Sequence, residues 1–572
     1  MTRVRVVSLN GMDTTTLDDI DRQLCLSVDP RRIQSLKSYR NSLAPVSHLP
    51  HILLTDIFIL IHHSESTNDR FSQCPPTCLQ ISHVCRTWRD SALQCPLLWT
   101  NILFHPPEWT AIMLERSRAA PLTVRVPIQH QNLADNAFSS SVQLALSHMW
   151  HIRHLSIVLS DRFRDLGDLL SPFLKGSPDI LEELILVSPS VFPDYIYPSM
   201  ENAPHLRILE LASCHINWQL FSSVGNLTSL VLKDIPMASR PSIENILALL
   251  QIMRKLENLV LIHAISELPA SIRTLPPHDI APPIKLDHLF YLTLTGFVLD
   301  CANVMRHFVM PRCRRVTLNT VTRWHTPEVT LAIPPLTHII SSSFCQLDRQ
   351  ESLYNASILS FDDHMRMTAR PLENAEELCL DLYLRWQRPR QPDNTEISPG
   401  FGNLLSSLPL GRIIQFSATL FCRERDTASV EWLEVLPRLT HVETVLLSGA
   451  YAYGFAKAFH DAHIINISSP RGTDAIVLPE LISLTIAHAH FSFPLGDRQL
   501  FSTLKRALTR RLEVEWTMPD ITLVGCHITP QQLADLNTVA LEPVYCIGRP
   551  DTWGVGEEDQ GSSDEGSASD DN

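Results

Sequence analysis

The sequence predicts an α/β chain in two parts: a small all-helical module over residues 45–105, then a long strand-bearing repeat array over residues 106–546. Three observations predict it. Apolar residues between Leu49 and Ile102 recur at helical spacing, a leucine pattern with strand-like alternation recurs beyond residue 150, and 572 residues exceed what one hydrophobic core usually serves. With 44% hydrophobic and 19% charged residues the chain has the composition of a folded protein.

Residues 1–44 form a helical prefix. Leu17, Ile20 and Leu24, then Ile33, Leu36 and Leu43, sit at helical spacing, and Asp29-Pro30 between them is an N-cap followed by a first-turn proline. Two short helices are expected. Fewer than three unbroken heptads argue for packing on the next module rather than a coiled coil.

In the module, Leu49 to His62 reads as one helix with Pro50 near its first turn and Leu53, Leu54, Ile57, Phe58 and Ile61 on a broad apolar face. The turn-rich stretch 64–77 is a loop. Leu79 to Leu93 reads as a second helix carrying Ile81, Val84, Cys85, Trp88 and Ala92, and Pro96 stops it or opens a short third turn. A segment this short cannot hold a large core, yet it spends Trp88 and Trp99 on one end. That pattern describes a helical plug whose apolar surface another protein completes.

The array is carried by L-x-x-L-x-L-like units: IRHLSI (152–157), LEELIL (181–186), LRILEL (206–211), LTSLVL (227–232), LENLVL (256–261), LFYLTL (289–294), AEELCL (375–380) and LISLTI (481–486). Successive units lie roughly 20 to 40 residues apart, the scale of one repeat of a solenoid. In the best unit, Leu206, Leu209, Leu211, Cys214 and Ile216 match the leucine-rich repeat pattern L-x-x-L-x-L-x-x-C-x-I. A partial copy at Ile521, Leu523, Cys526 and Ile528 extends the array to about residue 546. Each short strand points alternate side chains inward and cannot bury that face alone, so an irregular leucine-rich horseshoe is predicted. Pro-rich excursions at 268–285 and 385–402 are surface loops. Residues 547–572 form an acidic tail without an apolar anchor, expected to be disordered and solubilising, with Ser562 and Ser563 beside acids.

Charge and motifs exclude several functions. The formal charge of -14, seven units of it in the tail, argues against a broad nucleic-acid surface. The start of the chain lacks a secretory h-region and no apolar run is long enough to span a bilayer, so a cytoplasmic or nuclear protein without membrane contact is expected. Its 13 cysteines then read as reduced thiols. Cys74, Cys78, His83, Cys85 and Cys95 do not repeat a zinc ligand pair, so no metal is predicted. None of the 18 glycines forms a phosphate-cradling loop, no nucleophile elbow or metalloprotease helix appears, and the 25 histidines are scattered. His62-His63 closes a helix, and His488 and His490 read as surface residues. No cofactor and no catalytic residue are expected.

LPHILLTDIF (49–58) resembles the F-box opening LPPEILSEIF, and VCRTWRDSALQCPLLWTNI (84–102) resembles its second half, where V-C-x-x-W-R and P-x-L-W recur. LERSRAAPLTVRV (114–126) is similar to the continuation found in fungal F-box proteins. His51-Ile52 stands where the family has Pro-Glu, and the inter-helix loop is longer than in minimal F-boxes. The resemblance implies binding to a Skp-type adaptor and through it a cullin-RING ubiquitin ligase, with the contact carried by Leu49, Pro50, Leu53, Leu54, Ile57, Phe58, Val84, Cys85, Trp88, Leu98 and Trp99. Some of these side chains, Val84 and Cys85 among them, serve equally well as the module's own core. The array would then hold a protein substrate on the strand face, where alternation places Glu210, Ala212, Val231, Lys233, Val260, Thr293, Thr295 and Thr485 outward.

Three functions follow: a substrate receptor of a ubiquitin ligase, a leucine-rich scaffold whose F-box no longer recruits a ligase, and a cryptic hydrolase, which no motif supports.

Overall fold

The computed structural model describes residues 14–66, 77–104, 106–127, 136–158, 177–187, 203–215, 224–269, 283–322, 354–360, 364–372, 380–385, 410–420, 432–467, 477–492 and 499–548, with isolated positions between them. The architecture is mixed α/β with parallel strands dominating, and the chain divides into two units, Met1–Leu209 and Glu210–Asn572. The 385–402 excursion beyond Arg385, Cys74, and the tail beyond Gly548 lie outside the described residues.

The first unit opens with α1 (Thr14–Leu26) and α2 (Pro30–Ser42). Asp29 caps α2 by accepting from the Arg31 amide, Pro30 occupies its first turn, and Arg40 pairs with Asp21 at 2.6 Å. Next come α3 (His51–Ser66), α4 (Thr77–Ser82), α5 (Arg86–Gln94) and a 3-10 turn over Pro96–Trp99. The single helix expected over 79–93 is thus two. Cys85 stands between them in extended conformation, φ −155° and ψ 174°, and its sulfur accepts from the Trp88 amide at 3.5 Å. A capping sulfur in place of a helical residue breaks the run.

The module leads into strands β1 (Asn101–Ile102), β2 (Leu122–Pro127), β3 (Ile152–Val158) and β4 (Glu183–Val187), with α6 (Glu108–Ser117) and α7 (Asn136–Leu146) between the first three. All pair in parallel and in chain order, aligning buried Val124, Leu155 and Leu184. His151 closes the turn ahead of β3. It is 2% exposed, its ring lies 4.0 Å from Trp150 and 5.3 Å from His148, and neither ring nitrogen has a hydrogen-bond partner among the described residues. Burial, reinforced by His148, holds its pKa below the usual histidine value.

Strand β5 (Ile208–Ala212) carries the division between the units. In the second unit, β6 (Ser229–Lys233), β7 (Asn258–Ile262), β9 (Tyr291–Phe297) and β11 (Arg315–Val321) pair in parallel, while β8 (Ile284–Lys285) and β10 (Phe308–Val309) form a separate small sheet. The described leucine units each coincide with a strand. Between β11 and the later repeats, chain order breaks. β13 (His364–Pro371) runs antiparallel to both β12 (Tyr354–Ser360) and β14 (Leu380–Arg385), with β14 parallel beside β11 and β12 parallel beside β15 (Ile413–Leu420). The irregularity expected of the array takes the form of this break in the parallel order. A three-residue connection between β12 and β13 is too short for a parallel crossover, so a hairpin is the available solution. Parallel order resumes through β16 (Thr444–Ser448), β17 (Ser483–Ala487), β18 (Asp520–Val524) and β19 (Tyr545–Ile547).

A recurrent turn accompanies the parallel strands. Ser213, Asp234, His263, Gly449, His488 and Gly525 each follow a strand directly, each has φ between 47° and 64°, and each donates its amide to the last residue of the neighbouring strand, or in His263's case to Thr295. These bonds measure 2.7 to 3.1 Å. Left-handed backbone at a side-chain-bearing residue costs about 1 kcal/mol, which the inter-strand bond offsets.

Inward positions form continuous aliphatic rows, such as Leu232, Leu261, Leu294, Leu318, Leu382, Met367, Ile358 and Ala418. Helices Val298–Met305, Ala450–Ile467 and Leu500–Glu513 supply further core. Arg511 is fully buried there. Its guanidinium donates to the carbonyls of Val477, Leu478 and Thr517, and burial draws its pKa down to about 10. Among the described residues no helix is long and apolar enough to cross a membrane.

Candidate protein interface

Helix α3 is apolar on two neighbouring stripes, and only one finds a core. Leu54, Phe58 and His62 recur every four residues and are buried, with the Phe58 ring 4.9 Å from Trp88. Leu53, Ile57 and Ile61 recur with the same period one residue earlier and stay exposed, and Ile52 and Leu60 extend that stripe at 73% and 69% exposure. Each exposed side chain forgoes up to about 1.5 to 3 kcal/mol of burial free energy. An isolated exposed apolar residue is ordinary, whereas a contiguous stripe marks an interaction surface.

The other wall of the core is built by the 3-10 turn. Leu98 and Trp99 are fully buried, the Trp99 indole donates to the Ala92 carbonyl at 2.8 Å, and the Arg116 guanidinium from α6 lies 4.3 Å above the ring. Hydrogen bonding satisfies the indole, so the ring is a core residue in its own right. Thr110 donates to Leu103 and Arg89 donates to Ser82, fixing α6 and α5 to the same body.

The eleven residues expected at the adaptor contact thus separate. Leu54, Phe58, Leu98 and Trp99 are buried in the module's own core, which corrects their assignment as direct contacts. Leu49, Cys85 and Trp88 are half-buried, and Pro50, Leu53, Ile57 and Val84 are exposed. Val84 is 54% exposed because it sits in the break between α4 and α5 rather than on a helix face. Ile52, Leu60 and Leu97 are exposed apolar residues that sequence reasoning missed. The available signal was a helix apolar around more than half its circumference.

Of the cysteine cluster, Cys78 and Cys95 are buried, Cys85 caps α5 and His83 is exposed. Burial raises the Cys95 thiol pKa, which keeps it protonated. Among the described residues no group of three or more His, Cys, Asp or Glu side chains is arranged to hold a metal ion.

On the strand face, Val231, Val260 and Thr293 lie side by side in one cross-strand row. That row continues through Thr317, Asp381, Thr368, Ser357, Ser417 and Leu446 to Thr485 and Thr522. Lys233 and Thr295 belong to the next row, with Ile262 between them. Lys233 donates to Glu210 at 2.6 Å. Val231 and Ala212 lie on the outward parity but are covered, each 8% exposed, which corrects their reading as accessible; the other predicted face residues are half-buried. Positions 317–446 of the row went unseen because no complete L-x-x-L-x-L unit coincides with their strands, AEELCL reaching β14 only at Leu380. His490 and His527, read separately or not at all in the sequence, stack face to face at 3.9 Å on adjacent segments.

No family model matches the chain, and no curated protein matches it in sequence.

Proposed function

We propose that this protein is the substrate-recognition subunit of a cullin-RING ubiquitin ligase, with residues 45–105 acting as an F-box that docks a Skp-type adaptor and the leucine-rich array holding a protein substrate. One observation carries the reading: the exposed stripe Ile52, Leu53, Ile57, Leu60 and Ile61 on a module whose core is already filled, with Val84 of the same module exposed as well. The sequence resemblance supplies the identity of the partner. In this reading the chain performs no chemistry, and its contribution is to hold a substrate near the transferring enzyme.

The test is co-purification of the full chain with a Skp-type adaptor, comparing wild type with Leu53→Glu/Ile57→Glu. These positions are exposed, so the fold survives, and placing two carboxylates in an apolar contact weakens binding by two or more orders of magnitude. Undiminished adaptor binding by the double variant would remove the stripe from the contact. Absence of adaptor binding by the wild type would favour a leucine-rich scaffold without ligase function.

A further inference from the structure

On the outward face of the second unit, positive charge collects in one place. Strands β11, β14 and β13 lie side by side, and their described outward positions carry Arg315, Arg366, Arg370 and Arg385 against a single carboxylate, Asp381. Asp381 bonds Nε and Nη2 of Arg366 at 2.8 and 2.7 Å, which leaves the other edge of that guanidinium without a bond among the described residues. The Arg366 side chain is 45% exposed, and Arg370 and Arg385 are exposed as well. The chain as a whole has a formal charge of -14, so this surplus runs against the sign of the whole. Guanidinium groups take carboxylates, and a set spread over three adjacent strands suits a run of them rather than one.

Such a run is tethered to the same unit. Seven carboxylates between Glu557 and Asp571 follow β19 in the chain. The strand pairings lead from β19 through β18, β17, β16, β15 and β12 to β13, and their register puts Ile547 in the same cross-strand row as Arg366. No carboxylate stands in that row between them. The distance to cover is six strand spacings, about 29 Å. An extended chain spans about 3.3 Å per residue, so the stretch from Gly548 to Glu557 reaches roughly that far and the later carboxylates have slack. β14 and β19 also point the same way, so the chain leaves β19 at the rim where β14 ends in Arg385.

We infer that the acidic segment 557–571 docks in cis on the arginine-bearing face of β13 and β14 and covers it. Tethering supplies an effective concentration on the order of 1 mM, so a contact whose free peptide has a Kd of only ~0.1 mM is about nine-tenths closed in the intact chain. On the proposed reading of this face as the substrate surface, a substrate binds there by displacing the tail. The docking itself does not depend on that reading.

The test compares the full-length chain with a full-length variant whose tail carboxylates are all made amides: Glu557→Gln, Glu558→Gln, Asp559→Asn, Asp564→Asn, Glu565→Gln, Asp570→Asn and Asp571→Asn. A fluorescent synthetic peptide of residues 555–572 is titrated onto each and followed by anisotropy. The expected result is that the peptide binds the amide variant about tenfold more tightly than wild type, where the tethered tail competes. That binding is expected to disappear at ~0.5 M salt. Arg366→Gln/Arg370→Gln in the amide background is expected to weaken it about tenfold. Arg370→Gln/Arg385→Gln, which keeps the Arg366–Asp381 pair, is expected to weaken it too, and thermal melting checks that each variant folds. Equal affinity for wild type and amide variant, no binding to the amide variant, or binding that both arginine pairs leave unchanged would overturn the inference and leave the tail a solubilising segment. A short single-stranded oligonucleotide that binds wild type and amide variant alike through these arginines would overturn it as well. Adaptor co-purification reports on the helical module alone and is untouched by any of these outcomes.

Discussion

The helical module and the sheet of the second unit handle apolar side chains in opposite ways. In the sheet, alternation sends one set of side chains inward with few exceptions, and the outward set mixes hydroxyl, amide and charged side chains, among them the pairs Lys233–Glu210 and Arg366–Asp381. In the module, α3 has more apolar residues than its core can take, and the surplus faces outward in a single stripe. A strand's period of two leaves little ambiguity about which side chains are inside, whereas a helix presents adjacent stripes about 100° apart and packing selects among them. Surplus on a small body is therefore the better indicator of a missing partner than leucine content.

That contrast is broken most severely at Trp99. Trp99→Ala removes a buried ring, its hydrogen bond to Ala92 and the seat of Arg116, and is expected to cost about 3 to 5 kcal/mol in denaturant unfolding of the first unit. A loss below about 1 kcal/mol would return Trp99 to the surface.

The sheet side is tested at Arg511. Arg511→Met preserves the stem but strands the carbonyls of Val477, Leu478 and Thr517, with an expected loss of about 2 to 3 kcal/mol in the second unit. Unchanged unfolding would show that the guanidinium's own desolvation cancels its bonds.

A smaller effect comes from His151. Its pKa in the folded chain is depressed, so below about 6.5 the unfolded state binds more protons and stability falls as pH drops toward the folded value. His151→Gln is expected to flatten the stability profile over that window. An unchanged slope would assign acid sensitivity to other groups.

The smallest effect is expected at the exposed stripe itself. Leu60→Ser leaves thermal stability within about 0.5 kcal/mol of wild type, because the side chain is solvated already. A substantial loss would mean that the surplus is core after all.

Much of the second unit was legible because strands announce themselves locally. The described leucine units coincide with strands, and Asp29-Pro30 located the start of α2. What escaped notice depended on contacts absent from local pattern. Cys85 broke a helix through a sulfur cap, a residue type that composition assigns to the interior. β13, HMRMTARP, alternates but without leucines, and its Arg366 makes sense only opposite Asp381. The choice between Leu53 and Leu54 for the core was likewise invisible, since both stripes of α3 carry large apolar side chains and the packing of Phe58 on Trp88 decides between them in space.

The left-handed residues behind the strands have a consequence for how such a chain changes over generations. Six strands, those followed by Ser213, Asp234, His263, Gly449, His488 and Gly525, are each tied to a neighbouring strand by a main-chain amide at the strand end, so the alignment there does not depend on the length of the stretch that returns to the following strand. Insertions and deletions enter those stretches at small thermodynamic cost. The strand face and the connecting segments are thereby separable: the length of a connection can change without shifting the register of the face.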